Sequence, residues 1–435
     1  MSEISEHLRD AFERVAIDDD GRACRDIPDS ACKEEPRNFF THVASLAASK
    51  TADGLIDPKL VLSWLITALG APSSMVGFLV PVREAGALLP QLFTAAYLRQ
   101  LPRRKWAWSA GAAIQGVSAL SIAVSALTLE GAGAGWAIIG SLTVLAIARS
   151  VCSVCYKDVL GKTVAKSRRG SATGLAGSLA AVGVIIFAVV LSLDLFERMP
   201  VIIAGLTIAG ALWIGAASLF ATLKEAGGAS DGGVSGFDAA MENFGLLKSD
   251  KQLRRFIATR GALTATALAP PFMIAAASEK ASASYGALGF LLLASAGASL
   301  VSSYVWGRLA DRSSRKVLML SGAAAALALV GAVICSVFDV LNETAILPAL
   351  LFFLMVSYQG VRLGRSTHLV DMATAETRAA YTALSNTIIG FILLAGGALS
   401  LVASLFGATT VIGLLAVFSM IGGLIAMTLD EVQET

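Results

Sequence analysis

The chain has 435 residues, of which 55% are hydrophobic and 15% charged, and its mean hydropathy is +0.71. Soluble domains carry about 25% charge, so this composition excludes an ordinary soluble protein. The formal net charge of +2 says little as a sum, because the charges are unevenly placed.

Residues 1–37 are polar and acidic and lack the charged start, apolar centre and cleavage site of a signal peptide. Ile4, Leu8, Phe12 and Val15 recur at helical spacing. Residues 3–15 therefore read either as an amphipathic helix lying on the inner membrane surface or as a mobile tail. Cys24 and Cys32 would face a reducing compartment as free thiols.

From residue 38 the apolar residues come in runs of roughly 18–25, the length that crosses about 30 Å of hydrocarbon. In chain order the first six spans are 38–57, 74–97, 107–129, 136–158, 171–193 and 200–222. Six more follow at 254–277, 284–306, 317–338, 345–364, 380–405 and 408–429. The expected fold class is all-α: a polytopic membrane protein of twelve helices in two six-helix bundles. Many of the 41 glycines lie inside spans, where small residues let helices approach closely. Pro81 and Pro90 punctuate span two and Pro270-Pro271 interrupts span seven, inviting kinks. Cys152 and Cys155 share a helix face in span four but have no histidine or second cysteine pair beside them, so no metal is expected.

The polar stretch 224–251, rich in Gly, Ser, Asp and Lys, separates the two sets of six and reads as a linker. The domain plan is a tail over 1–37, a bundle over 38–222, a linker over 223–253, a second bundle over 254–430 and a short tail over 431–435. Basic residues crowd the even-numbered connections, from Arg99, Arg103, Arg104 and Lys105 to Arg168 and Arg169, Arg308 and Arg378. The opposite connections hold Arg198 and Lys280, with Lys59 unassigned. By the positive-inside rule both termini are cytoplasmic. These basic loops set topology and touch anionic lipid headgroups, so nucleic acid is not an expected partner.

Between spans eight and nine stands 307–316, G-R-L-A-D-R-S-S-R-K, a charged turn wedged between apolar runs. A fainter copy, 96–105 (A-Y-L-R-Q-L-P-R-R-K), occupies the same place in the first half. It sets Ala96 against Gly307, Gln100 against Asp311, and Arg104-Lys105 against Arg315-Lys316. The decapeptide resembles the loop signature of the major facilitator superfamily of secondary transporters. The twelve-span plan with its long middle loop and Arg149 inside span four extend that resemblance over about residues 38–430.

The resemblance implies a central cleft lined by spans one, four, seven and ten, a monomer, and no cofactor. It also implies a cytoplasmic latch built from Gly307, Asp311, Arg312, Arg315 and Lys316, with Arg168 and Arg169. A carboxylate is favoured at a helix N-terminus by about 0.3–1 kcal/mol. Gln100 cannot act as an ion, so the latch should depend on Asp311. Arg149 stands where the family places an arginine linked to proton coupling or substrate binding, though the Gln-Gly that usually follows it there is missing.

Charges inside spans cost roughly 2.5–3.5 kcal/mol each on insertion scales and usually face a wet cavity or a partner. Span one carries Lys50, Asp53 and Asp57, spaced to share one face. Lys50 and Asp53 either form a static ion pair or serve a site. Arg83 and Glu84 in span two point about 100° apart and should pair with other spans, whether for structure or for binding. Span seven has Arg260, at nearly the repeat-equivalent position of Lys50. Span ten has Tyr358, Gln359 and Arg362, with Arg365 expected to snorkel outward, and span eleven has Asn386.

Cations outnumber acids among these candidates, and guanidinium binds carboxylate and phosphate through paired donors. The expected function is a proton-coupled secondary transporter of a small anionic solute in a bacterial inner membrane, with Asp53 or Glu84 carrying the proton. Two alternatives stand beside it: a proton-driven exporter of amphipathic compounds, and a transporter-derived scaffold or sensor acting through the N-terminal tail. An enzyme is not expected. His7, His42 and His368 are scattered, and no phosphate loop, metal constellation or activated nucleophile accompanies them.

Overall fold

The computed structural model describes residues 33–193, 195–228, 244–279, 288–310, 312–343, 345–373 and 377–433. The possible helix at 3–15, Cys24, Cys32, His7, Lys280 and Asp311 lie outside these residues. Among the described residues the chain is helical and contains no strand. The first half comprises α1 (Glu35–Leu55), α2 (Val61–Ala68), α3 (Leu79–Gln100), α4 (Lys105–Thr128), α5 (Gly131–Thr163), α6 (Lys166–Ser192) and α7 (Arg198–Ala221). The second comprises α8 (Lys251–Ala262), α9 (Ala265–Glu279), α10 (Leu288–Ala310), α11 (Ser314–Val337), α12 (Ile346–Met372), α13 (Arg378–Gly396), α14 (Leu399–Phe406) and α15 (Ala408–Ala426).

Ten helical stretches among these are long and apolar enough to cross a membrane, with α8–α9 and α13–α14 each counting as one stretch. The two remaining long helices, α1 and α3, have 21 and 22 residues. They fall short on apolarity, because they hold Lys50 and Asp53, and Arg83 and Glu84.

The first expected span differs from its sequence reading in an instructive way. Helix α1 stops at Leu55, and the chain turns through Ile56–Leu60 before α2 resumes. Asp57 is therefore not on the α1 face shared by Lys50 and Asp53. It sits in the break, where its carboxylate accepts the backbone N–H groups of Lys59 and Leu60 at 2.8 and 3.0 Å. The start of α2 thus receives the oxygen acceptor that a helix N-terminus lacks internally. Val61 to Ile66 of α2 are all buried, so this helix continues the first span inside the protein.

Prolines act otherwise than their positions in the sequence suggest. Pro81 falls in the first turn of α3, where a missing N–H is tolerated. Pro90 does lie inside α3. Helix α9 runs on through Pro270 and Pro271, and the interruption of span seven falls upstream of them, at Leu263–Thr264.

The halves repeat one packing plan. Helix α4 packs on α7 at Gly116 and Gly210, and a Cβ built on Gly116 would stand 2.8 Å from the Gly210 carbonyl oxygen. Helix α11 packs on α15 at Gly322 and Gly423, where a Cβ on Gly322 would meet the Gly423 backbone at 2.8 Å. The only side chain that allows such backbone approach is hydrogen. Between halves, α6 packs against α10 and α3 against α13. Close contacts across the halves gather at the end remote from the described termini. There Gly289 faces Ser192, Gly397 faces Phe78, and Gly77 faces Ser400 and Phe272.

Candidate functional site

At the centre of the first half, Asp53 of α1 is held between two arginines. Its Oδ1 accepts Arg83 Nη2 of α3 at 2.5 Å, and its Oδ2 accepts Arg149 Nη1 of α5. Arg83 and Glu84 diverge from adjacent positions of α3, so Arg83 reaches another helix, as its geometry predicted. Lys50, one turn away on α1, is exposed and forms no ion pair among the described residues. The static Lys50–Asp53 pair is thus replaced by the two guanidiniums. Lys50 Nζ lies against α6, 3.5 Å from where a Cβ on Gly177 would stand.

The Arg149 side chain is 38% exposed, against 9% for Arg83. That contrast separates their chemistry. Arg83 is a buried anchor, whereas Arg149 has donors left over for a second anion.

In the second half, Arg260 of α8 lies three residues before the break in span seven and is buried. It donates from Nη1 to Ser385 Oγ at 2.7 Å and from Nη2 to Asn386 Oδ1 at 2.8 Å, both on α13. These acceptors are neutral. No carboxylate pairs with Arg260 among the described residues, and its buried Nε has no hydrogen-bond partner. The position in the last turn of α8 favours a cation there through the helix dipole. Two expected site residues, Arg260 and Asn386, are thereby brought together on different helices.

The halves meet at Lys59, left unassigned in the sequence. It is buried in the turn between α1 and α2, with its ammonium 3.6 Å from the centroid of the Tyr358 ring on α12. The signal was available: Leu60–Ala68 is apolar, though too short to be a span alone, and so had to continue span one past Asp57-Pro58-Lys59. Glu84 of α3 stands in the field of Lys59, Arg83, Arg362 and Arg365. Arg362 is exposed, with its guanidinium carbon 5.9 Å from the same Tyr358 ring. Arg365 is half-buried, in electrostatic range of Tyr358, Glu84 and Arg362.

At the terminal side, the loop residues form contacts within each half. In the first, Glu225 accepts the N–H groups of Arg104 and Lys105 at 3.1 and 2.8 Å and pairs with Lys162 at 3.3 Å. Arg104 pairs with Asp158 at 2.9 Å. Arg168 pairs with the buried Glu35 at 3.2 Å, and Arg169 donates to the carbonyls of Val164 and Gly161.

In the second half, Ser313 Oγ donates to Glu431 at 2.6 Å, and Arg315 approaches the same carboxylate at 3.6 Å. Arg315 also donates to the Leu429 carbonyl, and the Lys316 N–H donates to Ser313 Oγ. Arg312 is exposed, and a Cβ built on Gly307 would meet nothing within 4 Å. Glu35, Glu225 and Glu431 were missed in the sequence, because nothing local distinguishes them from solvated acids flanking a helix. His42 and His368 bond Thr163 and Ser314 at 2.8 and 2.9 Å, holding helix ends together.

No protein-family model matches the sequence, and no curated protein sequence matches it. Solved structures do. The D323A mutant of the nucleoside transporter NupG is 15% identical, with a TM-score of 0.67 over 90% of this chain and all of the other. A POT family transporter in complex with a thioalcohol-conjugated peptide is 11% identical, with a TM-score of 0.68 over 94% and 99% of the two chains. The E. coli xylose transporter XylE, in a partially occluded inward-open conformation, is 10% identical, with a TM-score of 0.65 over 90% and 99%. The chain has the fold of the major facilitator transporters.

Proposed function

We propose that this protein is a secondary active transporter that moves a small anionic solute by alternating access, coupled to protons. The observation that carries the reading is Arg260, a buried guanidinium whose recorded acceptors are neutral. An uncompensated charge in a low-dielectric interior is expensive, and an anionic ligand supplies the missing partner. The fold is that of nucleoside, peptide and sugar transporters, which supports the reaction class while leaving the solute to the side chains.

Asp53 supplies a route to coupling. Its carboxylate is held by two guanidiniums at once. An anion that draws the half-buried Arg149 away removes one of those charges and raises the proton affinity of Asp53. Binding of anion and proton would then favour one another, which is a coupling free energy between two sites. Glu84, surrounded by cations, is the second candidate carrier. A D-xylose–proton symporter with the same fold, 11% identical to this chain, supports the proton as the coupling ion.

Purified protein in proteoliposomes tests this, with an entrapped pH dye reporting proton movement. Addition of carboxylate or phosphate solutes should drive proton flux, and Asp53→Asn should stop it. The reading is overturned if anions are neither bound nor moved, and if neutralising Asp53 and Glu84 leaves pH-dependent transport intact.

A further inference from the structure

Resting on the anionic reading, we infer that the solute carries two separated anionic groups, carboxylate or phosphate, one taken by each half of the protein. The inference comes from how charge divides between the halves. In the first half the central cluster holds Lys50, Lys59, Arg83 and Arg149 against Asp53, Asp57 and Glu84. The second half adds Arg260, Arg362 and Arg365, and no carboxylate of that half enters the cluster among the described residues. Seven cations therefore stand against three acids, an excess of four, and three of the seven belong to the half that contributes no acid to the cluster among the described residues.

The two anion-binding places lie on different halves. The first-half binding group is Arg149, with donors free beside its Asp53 contact and Lys50 within its field. The second-half binding group is Arg260, held by Ser385 and Asn386 near the break of span seven, with Arg365 in electrostatic range. These two belong to bundles that must move relative to each other in an alternating-access cycle.

A ligand shifts a conformational equilibrium only through different affinities for the two states. A monoanion held by one half touches the same groups however the bundles are arranged. A ligand with two anionic groups gains its second contact only when the bundles approach, so its binding energy favours the occluded state.

Affinity of the full-length protein in detergent, measured by calorimetry, tests the inference with butyrate, succinate, glutarate and ethyl phosphate. The diacid series should bind about tenfold or more tightly than butyrate. Arg260→Gln should weaken succinate more than butyrate and so erase the difference between them, and Arg260→Lys should restore part of that difference. The comparison among ligands in the unaltered protein stands even if the variants unfold.

Equal affinity for butyrate and succinate would overturn the two-pole inference and leave the anionic reading intact. Ethyl phosphate binding as tightly as the best diacid would also overturn it, because total charge rather than separation would then decide. Binding of none of the four would remove both readings.

Discussion

Lys59 and Tyr358 join the halves at the break of the first span, with the Lys59 ammonium seated over the phenol ring at 3.6 Å. A cation over an aromatic face is worth about 0.5–1 kcal/mol when exposed and about 2 kcal/mol or more when desolvated. The contact also places a charged side chain of a discontinuous helix beside Glu84, within the central cluster.

Lys59→Met should therefore reduce transport strongly while leaving the protein folded, because α2 remains buried by its own apolar residues. Tyr358→Phe, which keeps the ring, should be mild, and Tyr358→Leu should approach the Lys59→Met defect. Uptake rates in proteoliposomes at matched protein content compare the three. Equal rates for the Phe and Leu variants would show that the ring is irrelevant.

Asp53→Asn leaves Arg83 and Arg149 facing each other without their shared anion. Breaking a buried ion pair by removing one partner costs about 3–5 kcal/mol. A marked drop in thermal stability in detergent is expected. Combining it with Arg149→Gln should cost less than the sum of the two single changes, because the residues share one network. Additive losses would argue that Asp53 and Arg149 act independently.

The acid of the first-half terminal loop is Glu225, not a residue at position 100. Glu225→Gln should lower stability by about 1–3 kcal/mol, since two amides and Lys162 lose their charged acceptor. Gln100→Ala should have little effect, as Gln100 is exposed. Thermal unfolding of the two variants reads the difference. Asp311→Asn is expected to slow the transport cycle more than Gln100→Ala does, which a side-by-side uptake assay decides.

Gly322→Ala should be disruptive out of proportion to its size. The new methyl group would stand 2.8 Å from the backbone of Gly423, which cannot move as a flexible side chain can. Overpacking of this kind costs about 1–3 kcal/mol. Gly331→Ala on the same helix serves as the control, because the nearest atom there is the end of the Leu350 side chain at 3.0 Å. Similar melting temperatures for both variants would refute the argument.

Asp250 caps α8 by accepting the N–H groups of Gln252 and Leu253 at 2.8 and 3.0 Å. Partial burial works against its charge, but hydrogen bonds from the Tyr381 hydroxyl and from those two amides outweigh this and hold the carboxyl below its usual range. A lowered folded-state pKa contributes stability above the unfolded value of about 3.9, lost as pH falls further. Asp250→Ala should therefore cost about 1 kcal/mol near neutral pH. The gap in melting temperature should narrow below about pH 4. A gap that widens on acidification would contradict the sign.

The sequence by itself determined where hydrocarbon and water meet along the chain. Apolar runs such as 317–338 and 408–429 fall within α11 and α15 or run at most a few residues past their ends, because helix formation and membrane burial are decided by residues close in the chain. It also exposed Asp53, Arg83, Arg149 and Arg260 as unusual, since a charge inside a span is costly wherever its partner lies. Only the tertiary structure decided the partners. Asp53 meets Arg83 and Arg149 rather than Lys50, and Arg260 meets Ser385 and Asn386, because helix rotation and approach are set by contacts far apart in sequence. The break at Ile56–Leu60 is the same lesson in one turn. Locally Asp57-Pro58-Lys59 looks like the end of a span; the short apolar stretch after it hints otherwise, and the packing of α2 makes the turn the middle of a span.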